Sequence, residues 1–314
     1  MSIQRKHIFT LITLSVTLTL LGIFEANAQQ SEYKVGSYNV RYDNAADREK
    51  GNGWPNRLPV VTSLIEFIDY DIFGCQEVLH EQLGDMDSLL QAYDHVGVGR
   101  DDGETKGEYA PIFYKKDRFK LLDSGVFWLS QTPEKPSVGW DAALPRICTY
   151  AHVEDQRNGK RLWFFNLHMD HQGTKAREKS SELVLKRIQD MLEEDEMVIL
   201  TGDFNVDQHN PIYRILAEST LLSDTYVKAQ KRYAWNGTFN AFDDQLFTDS
   251  RIDHIFVSDD IEVLHYGVLT ESYRRPAGEV EQVKKGDFPS ELSFKNYESR
   301  LPSDHFPVVA RVLF

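Results

Sequence analysis

The sequence predicts a layered α/β fold, and two features of its hydrophobic pattern support that prediction. Short apolar runs typical of strands recur along the chain, and some are continuous rather than alternating, as over residues 162–165. Continuous runs suit strands that are covered on both faces. Segments with helical periodicity lie between these runs. Strands that alternate with helices in this way favour a fold with layers of β-sheet and layers of helix. The hydrophobic fraction of 41% allows a sizeable core.

The first 28 residues are predicted to be a secretory signal peptide. Residues 5–6 are basic, residues 8–24 form an apolar run, and residues 26–28 read Ala-Asn-Ala, a small-x-small cleavage site. These are the three parts of a cleaved signal. A membrane anchor is the alternative, but the apolar run is short for a bilayer span. We therefore expect a secreted or periplasmic protein with one domain over residues 29–314 and no stable membrane insertion.

The elements of that domain follow from the local pattern. Two helices are predicted at residues 57–69 and 175–193, where apolar residues form one stripe. A third begins at the cap Asn210 with Pro211 at its first position and runs to about residue 219. The polar segment 272–303 is predicted to be a long loop. Strands are predicted at residues 33–40, 71–76, 109–115, 119–129, 146–153, 161–168, 197–201, 251–257, 262–269 and 306–313.

Charge and cysteine content limit the classes of function that fit this sequence. The chain carries a formal net charge of −14, and an acidic protein is a poor binder of long nucleic acid. Duplex DNA is therefore disfavoured as the main substrate. Export would permit a disulfide between Cys75 and Cys148, but the sequence does not fix it, and we favour buried free thiols. The chain lacks the Cys/His tetrad that a structural zinc site needs.

Polar residues suited to binding metals or phosphates stand at the ends of successive predicted strands. Because strand ends that share one rim of a scaffold bring their side chains together, we expect these residues to form one site. Each alone has an ordinary structural explanation, so the prediction depends on the whole set. The set comprises Asn39, Glu77, His168, Asp203, Asn205, Asp253, Asp304 and His305.

The order of these residues and the words around them resemble the endonuclease/exonuclease/phosphatase superfamily. The words are SYNVR, FGCQEV, NLHMDH, TGDFN, RIDHIF and SDHFPV, and the resemblance runs from residue 33 to residue 314. It implies a four-layer α-β-β-α sandwich, in which helices flank two packed mixed β-sheets. It also implies a site at one end of the sandwich.

The resemblance implies a Mg²⁺ site, with Mn²⁺ as a substitute. Glu77 is the first candidate ligand, with Asn39 beside it and Asp304 as a further candidate. Mg²⁺ prefers few protein ligands, chiefly carboxylate oxygens, and it neutralises the charge of a phosphate ester.

The catalytic roles follow from the same resemblance. Asp203 is a candidate for activating water, with Asn205 fixing the water or a phosphate oxygen. His305 is expected to contact the phosphate and Asp253 to hold its ring, while His168 binds the phosphate from the other side. The sequence leaves the general base open between Asp203 and His305.

Four further residues are candidates for substrate binding. Arg146 suits a bidentate phosphate contact, although it also fits a charge at a strand edge. Tyr114 either lines the site or packs in the core. His171 is expected in a supporting or loop role, because histidines three apart at a strand end do not share a face. Trp140 either walls the cleft or belongs to a packed surface loop.

The leading functional prediction is a secreted Mg²⁺-dependent phosphodiesterase or phosphomonoesterase. Its candidate substrates are nucleic acid fragments, nucleotides and other small phosphate esters. One alternative is a sphingomyelinase-like enzyme that cleaves phospholipids. An alternative of another class is a binding protein that kept the fold and lost the chemistry. The sequence leaves the oligomeric state open.

Overall fold

Two β-sheets packed face to face form the centre of the protein. The computed structural model describes residues 31–194, 196–278, 282–283 and 286–314. The predicted signal peptide and its cleavage site lie outside the described residues. Ser31–Phe314 form one compact unit. None of the helices in the described ranges is long and apolar enough to cross a membrane.

The strands make up two large mixed sheets and two short pairs. In chain order they are β1 (Glu32–Asn39), β2 (Ile72–Gln76), β3 (Tyr93–Val96), β4 (Ile112–Lys115), β5 (Phe119–Trp128), β6 (Ile147–Asp155), β7 (Arg161–His168), β8 (Met197–Asp203), β9 (Ser223–Asp224), β10 (Lys231–Tyr233), β11 (Asp253–Val257), β12 (Glu262–Val268), β13 (Tyr273–Pro276), β14 (Gln282–Val283), β15 (Phe294–Lys295), β16 (Tyr297–Arg300) and β17 (Val308–Leu313). The first sheet has the order β10-β12-β17-β1-β2-β4-β3, and the second has the order β5-β6-β7-β8-β11-β9.

Six helices accompany the sheets. They are α1 (Ala45–Glu49), α2 (Trp54–Ile68), α3 (His80–Leu89), α4 (Thr174–Met191), α5 (Pro211–Ala217) and α6 (Thr225–Lys228). The predicted cap of α5 is present, because the side chain of Asn210 accepts a hydrogen bond from the Ile212 N–H. The helices predicted at 57–69 and 175–193 correspond to α2 and α4.

Three apolar clusters give the fold its layers. The central cluster lies between the sheets and draws residues such as Val35 and Phe164 from both of them. A second cluster packs α4 and α5 on the outer face of the second sheet. A third packs α2 and α3 on the outer face of the first sheet. The predicted sandwich of two mixed sheets flanked by helices is therefore confirmed.

Near one end of the sandwich the apolar core gives way to a polar contact between the sheets. The amide of Asn166 accepts a hydrogen bond from Gln76 Nε2 at 2.6 Å and donates to the carbonyl of Cys75 at 2.7 Å. Thr201 Oγ1 also donates to Asn166 Oδ1. Both polar atoms of the buried Asn166 amide have hydrogen-bond partners, which holds its geometry fixed. This contact therefore fixes the relative position of the two sheets where the polar strand ends meet.

The segment 272–303 differs from its prediction as a long loop. It contains the antiparallel pairs β13–β16 and β14–β15. The described side chains of these strands are partly or fully exposed, so the alternating apolar pattern that reveals a strand is missing. Cys75 and Cys148 are both buried free thiols, and burial raises the pKa of each above its usual range.

Candidate active site

The strand topology brings the polar strand ends to one cavity. Strands β1 and β2 run parallel, as do β7 and β8, so Asn39, Glu77, His168 and Asp203 all lie at the same end of the sandwich. Asp253 opens the antiparallel strand β11 directly opposite Asp203. The cavity has a volume of about 620 Å³ and is lined by Arg41, Tyr42, Asp47, Lys50, Asn52, Glu77, Glu108, Leu144, Arg146, His168, His171, Asp203, Asn205, Phe239, Ala241, Phe242, Asp304 and His305.

A cluster of acidic and histidine side chains forms the floor of this cavity. One ligand atom from each of Glu77, Asp203 and His305 lies within 4.8 Å of the other two, and all three residues are buried. Asp304 is buried nearby, and burial together with the charge of Glu77 raises its pKa to about 6, against the opposing effect of His305. Buried carboxylates this close repel one another unless a cation lies between them. The carboxylates of this cluster therefore fit a divalent metal ion.

Arg41 is the protein's own cation at this cluster. Its Nη1 lies 3.5 Å from Oδ2 of Asp304 and 3.7 Å from Oε2 of Glu77. Its Nε donates to Asp47 at 2.9 Å. Arg41 thus neutralises part of the acidic charge from the rim of the site.

Asn39 faces the cluster through its amide nitrogen. Nδ2 donates to Glu77 Oε1 and to Asp203 Oδ2, each at 3.0 Å, while Oδ1 accepts from the Arg41 N–H. A metal ligand would present the oxygen instead. In this arrangement Asn39 positions the two carboxylates, and its role as a metal ligand stays a prediction.

His305 is held by Asp253 from behind the cavity wall. Its Nδ1 lies 2.8 Å from Oδ2 of Asp253, and its Nε2 lies 3.8 Å from Oδ2 of Asp203. Burial opposes the charged ring, but the two carboxylates outweigh burial and hold the pKa of His305 well above its usual value. His305 therefore presents a protonated Nε2 to the cavity.

Asp203 occupies the centre of the polar floor. The Asn205 N–H donates to its Oδ1 at 3.0 Å, which leaves Oδ2 facing His305 and His168. Burial and the charge of Asp253 raise the pKa of Asp203, against the effect of the histidines. A carboxylate with a raised pKa is a stronger base than a solvated one.

His168 lines the same cavity, and its imidazole ring is neutral. Its Nε2 is 3.6 Å from Asp203 and its Nδ1 is 3.5 Å from Glu108. Burial and the charge of Arg146 lower the pKa of His168 to about 3. Arg100 holds Glu108 in two hydrogen bonds of 2.6 and 2.8 Å, so the carboxylate beside His168 has a fixed position.

Arg146 lines the cavity and carries one donor without a partner in the described part of the chain. Its Nε lies 3.3 Å from Asp170 and its Nη2 lies 3.0 Å from Nδ1 of His171. Nη1 is buried and has no hydrogen-bond partner among the described residues. Burial would raise the pKa of Asp170, but three backbone N–H groups and Arg146 lower it to about 2. Asp170 is therefore a permanent anion that anchors Arg146.

The backbone around the cavity carries unusual dihedral angles. Arg41, Glu77 and Asn205 have φ of 57°, 62° and 51°, values that residues other than glycine seldom adopt. Ala241 and Phe242, also on the cavity wall, have φ of 54° and 59°. Such strain persists only where the surrounding structure fixes it, and it concentrates at functional sites.

The structure brings most of the predicted site residues together and separates two of them. Glu77, Asp304, His168, Asp203, Asn205, His305, Arg146 and His171 line the cavity, and Asn39 and Asp253 contact those that do. Tyr114 does not belong to this group, because it faces the central core between the sheets. Trp140 does not line the cavity either.

Sequence reasoning missed several residues of the site. Arg41 and Asp170 stand inside the words that carried the resemblance, but their partners are distant in sequence. Glu108 and the aromatic wall formed by Phe239 and Phe242 lie in segments with no local signal. Phe239 packs edge-on against His305, with ring centroids 5.1 Å apart.

Comparisons with known proteins agree with this architecture. The Endonuclease/Exonuclease/phosphatase family model matches residues 36–305. An endonuclease/exonuclease/phosphatase family protein from Bacteroides thetaiotaomicron is 47% identical, with a TM-score of 0.84 over 91% of this chain and 99% of that one. The mannosyl-6-phosphatase of Bacteroides thetaiotaomicron VPI-5482 is also 47% identical, with a TM-score of 0.82 over 90% of this chain and 100% of that one.

A third solved structure, an endonuclease/exonuclease/phosphatase from Bacteroides vulgatus, is 33% identical, with a TM-score of 0.75 over 90% of this chain and 98% of that one. The family match spans the strand ends that build the cavity, from β1 to the Asp304-His305 pair. This chain belongs to the endonuclease/exonuclease/phosphatase family and is a hydrolase that acts on phosphoric ester bonds.

Proposed function

We propose that this protein is a secreted, Mg²⁺-dependent phosphomonoesterase that removes phosphate from phosphorylated sugars. The observation that carries the proposal is the shape and lining of the cavity. It is lined by the acidic cluster, by Arg146 with a donor that is unpaired within the described ranges, and by the polar side chains of Lys50 and Asn52. A cavity with this lining suits one phosphate with a small polar group attached.

The likeness to the mannosyl-6-phosphatase supports the same substrate class. That enzyme is 47% identical to this chain and is covered along its whole length. The proposal of export comes from the signal-peptide pattern of residues 1–28. The net charge of −14 argues against a long nucleic acid as substrate.

Arg146, His168 and His305 are placed to bind the phosphate group. Arg146 offers Nη1, protonated His305 offers Nε2, and neutral His168 adds a donor from the opposite side of Asp203. Fixed donors aimed at the place where charge develops stabilise the transition state more than the ground state. The carboxylate of Asp253 stabilises the imidazolium of His305 during the whole reaction.

Asp203 is the general base in this account. Its Oδ2 faces the space between the two histidines, and its raised pKa suits the removal of a proton from water. His305 is the weaker candidate, because Asp253 and Asp203 keep it protonated. Asn39 and Asn205 hold the Asp203 carboxylate in place by hydrogen bonds of 3.0 Å to its two oxygens.

Glu77 is the principal residue to hold the metal ion, with Asp304 beside it. Carboxylate oxygens are the protein ligands that Mg²⁺ prefers. Mg²⁺ bound there would neutralise charge on the phosphoryl oxygens and polarise the bond to phosphorus.

A substrate panel tests the proposed function. The purified protein is assayed with mannose 6-phosphate, glucose 6-phosphate, bis-p-nitrophenyl phosphate, sphingomyelin and single-stranded DNA, in Mg²⁺, Mn²⁺ or EDTA. We expect metal-dependent phosphate release, with the sugar phosphates preferred. A preference for the diesters or for DNA would overturn the monoesterase assignment. Phosphocholine release from sphingomyelin would favour the phospholipid-cleaving alternative.

A further inference from the structure

A second pocket lies beside the active-site cavity and has no role in the chemistry described above. Its volume is about 330 Å³. Two aromatic side chains on its wall are unusually exposed, with Trp235 at 83% and Phe247 at 74% of their full accessible surface. The remaining lining residues are Gln208, His209, Tyr226, Ala234, Asn236, Asp249 and Arg251.

Exposed aromatic rings of this size do not stabilise the folded chain, because their surface stays in contact with water. In a pocket they offer flat apolar faces to a ligand. Exposed polar groups stand beside them, among them the carboxylate of Asp249 and the ring of His209. The pocket therefore combines flat apolar surface with hydrogen-bonding groups of both kinds.

The charge of the pocket favours a neutral ligand. Arg251 is the only arginine or lysine among the described lining residues, and it is already paired with Asp224 at 3.1 Å and stacked on Tyr226 at 3.7 Å. Asp249 adds negative charge. Single-stranded nucleic acid also stacks on aromatic rings, but it needs a basic track for its backbone, and this pocket does not supply one.

Two segments of the chain contribute lining residues to both the pocket and the active-site cavity. In the loop over residues 234–251, Phe239 and Phe242 line the cavity, whereas Trp235 and Phe247 line the pocket. Asn205 likewise lines the cavity, and Gln208 lines the pocket three residues later. Along each of these segments the pocket lining therefore lies within four residues of the cavity lining.

We propose that the pocket walled by Trp235 and Phe247 binds the neutral sugar units of an oligosaccharide whose terminal phosphate occupies the active-site cavity. A pyranose ring presents an apolar face of C–H groups and a rim of hydroxyls, which matches exposed aromatic rings bordered by carboxylate, amide and imidazole groups. This inference rests on the proposed sugar phosphatase function for its choice of substrate. The binding of neutral sugars can be measured separately.

The first experiment measures binding without turnover. Calorimetry compares mannotetraose, maltotetraose and cellotetraose, none of them phosphorylated, with wild-type protein and with Trp235→Ala. Phe67→Ala is the matched control, since Phe67 lies on α2 with 88% of its surface exposed. We expect at least one tetrasaccharide to bind wild type and Phe67→Ala equally. Binding to Trp235→Ala should be at least about tenfold weaker, and Trp235→Phe should recover part of it.

The second experiment measures selectivity in hydrolysis. The ratio of kcat/KM for 6-phosphorylated mannotetraose to that for mannose 6-phosphate is expected to exceed one in wild type. It should fall about tenfold in Trp235→Ala. Phe67→Ala is expected to keep the wild-type ratio.

The two experiments separate the failure of each proposal. In one outcome, neutral tetrasaccharides bind through Trp235 but neither sugar phosphate is hydrolysed. That outcome would support the assignment of the pocket and overturn the proposed function. Failure of all three tetrasaccharides to bind wild type would overturn the pocket assignment. Equal binding to wild type and Trp235→Ala would overturn it too. Binding of a thymidine tetranucleotide that depends on Trp235, without any tetrasaccharide binding, would reassign the pocket to nucleic acid.

Discussion

His305 Nδ1 and Asp253 Oδ2 lie 2.8 Å apart at the back of the active-site cavity, and both residues are buried. This contact joins His305, three residues before β17, to the first residue of β11, and so links the two sheets at the site. It also keeps a positive charge on the ring that faces the cavity. The electrostatics of the site depend on this pair.

Asp253→Asn tests the charge of that pair. The substitution keeps the shape of the side chain and removes the carboxylate that raises the pKa of His305. Because the pKa of His305 is raised in the wild type, its proton is lost only at high pH. In the variant the alkaline limb of the pH–kcat/KM profile should move to lower pH, with activity reduced about 100-fold. An alkaline limb that does not move would show that His305 does not act as a cation.

Arg146→Lys tests the free donor on the cavity wall. Lysine keeps the charge but cannot both pair with Asp170 and present the planar donors of a guanidinium. We expect KM for mannose 6-phosphate and the inhibition constant of inorganic phosphate to rise together, each about tenfold. Arg214→Lys on the exposed face of α5 is the control. A normal inhibition constant in Arg146→Lys would exclude direct phosphate contact.

Arg41→Ala tests the balance of charge at the metal site. The guanidinium lies close to both Glu77 and Asp304, so its removal leaves their repulsion uncompensated. The melting temperature in EDTA should fall, and the rise on adding Mg²⁺ should exceed that of the wild type. Differential scanning calorimetry measures both values, with Arg48→Ala as a control, since Arg48 pairs with Asp43 at the surface. A smaller Mg²⁺ effect than in the wild type would contradict this account.

His254→Gln tests a source of acid sensitivity at a buried residue that does not line the cavity. Burial lowers the pKa of His254 to about 4, so the folded protein holds this ring neutral while the unfolded chain protonates it below about pH 6.5. The free energy of unfolding is therefore unaffected by this group at higher pH. It falls as the pH drops from about 6.5 toward 4, by up to about 3 kcal/mol.

Glutamine can still donate to the Val206 carbonyl, which His254 Nε2 contacts at 3.0 Å, but it cannot be protonated. Urea unfolding at several pH values should therefore give a flatter acid slope for His254→Gln than for wild type. His95→Gln on the half-buried strand β3 is the control. Equal acid slopes for wild type and His254→Gln would refute the assignment.

The sequence predicted the strand ends of the site because each one is a local feature. Asn39, His168 and Asp203 end apolar runs that could be recognised without a partner, and the parallel pairing of β1 with β2 and of β7 with β8 then aligned them. The layers of the fold followed from continuous apolar strands and striped helices. Local signals and tertiary structure agree for these residues.

Other residues could not be placed from local pattern. The run Ile112-Phe113-Tyr114 is apolar on both faces, so its sequence does not tell which side chain faces the cavity, and Tyr114 faces the core. Trp140 has a φ of 47° in a loop whose course depends on contacts such as that of its N–H with Gln131. Arg41 acquires its role only through Glu77 and Asp304, which are distant in sequence.

The most direct test of the central claim is kcat/KM for mannose 6-phosphate in Mg²⁺, measured for wild type and Asp203→Asn together with their melting temperatures. Asp203 is buried with a raised pKa, so asparagine should preserve the fold or stabilise it. The account predicts a loss of activity on the order of 10³-fold with an unchanged or higher melting temperature in EDTA. A folded Asp203→Asn variant with activity close to wild type, or wild-type activity that persists in EDTA, would contradict metal-assisted hydrolysis at this site.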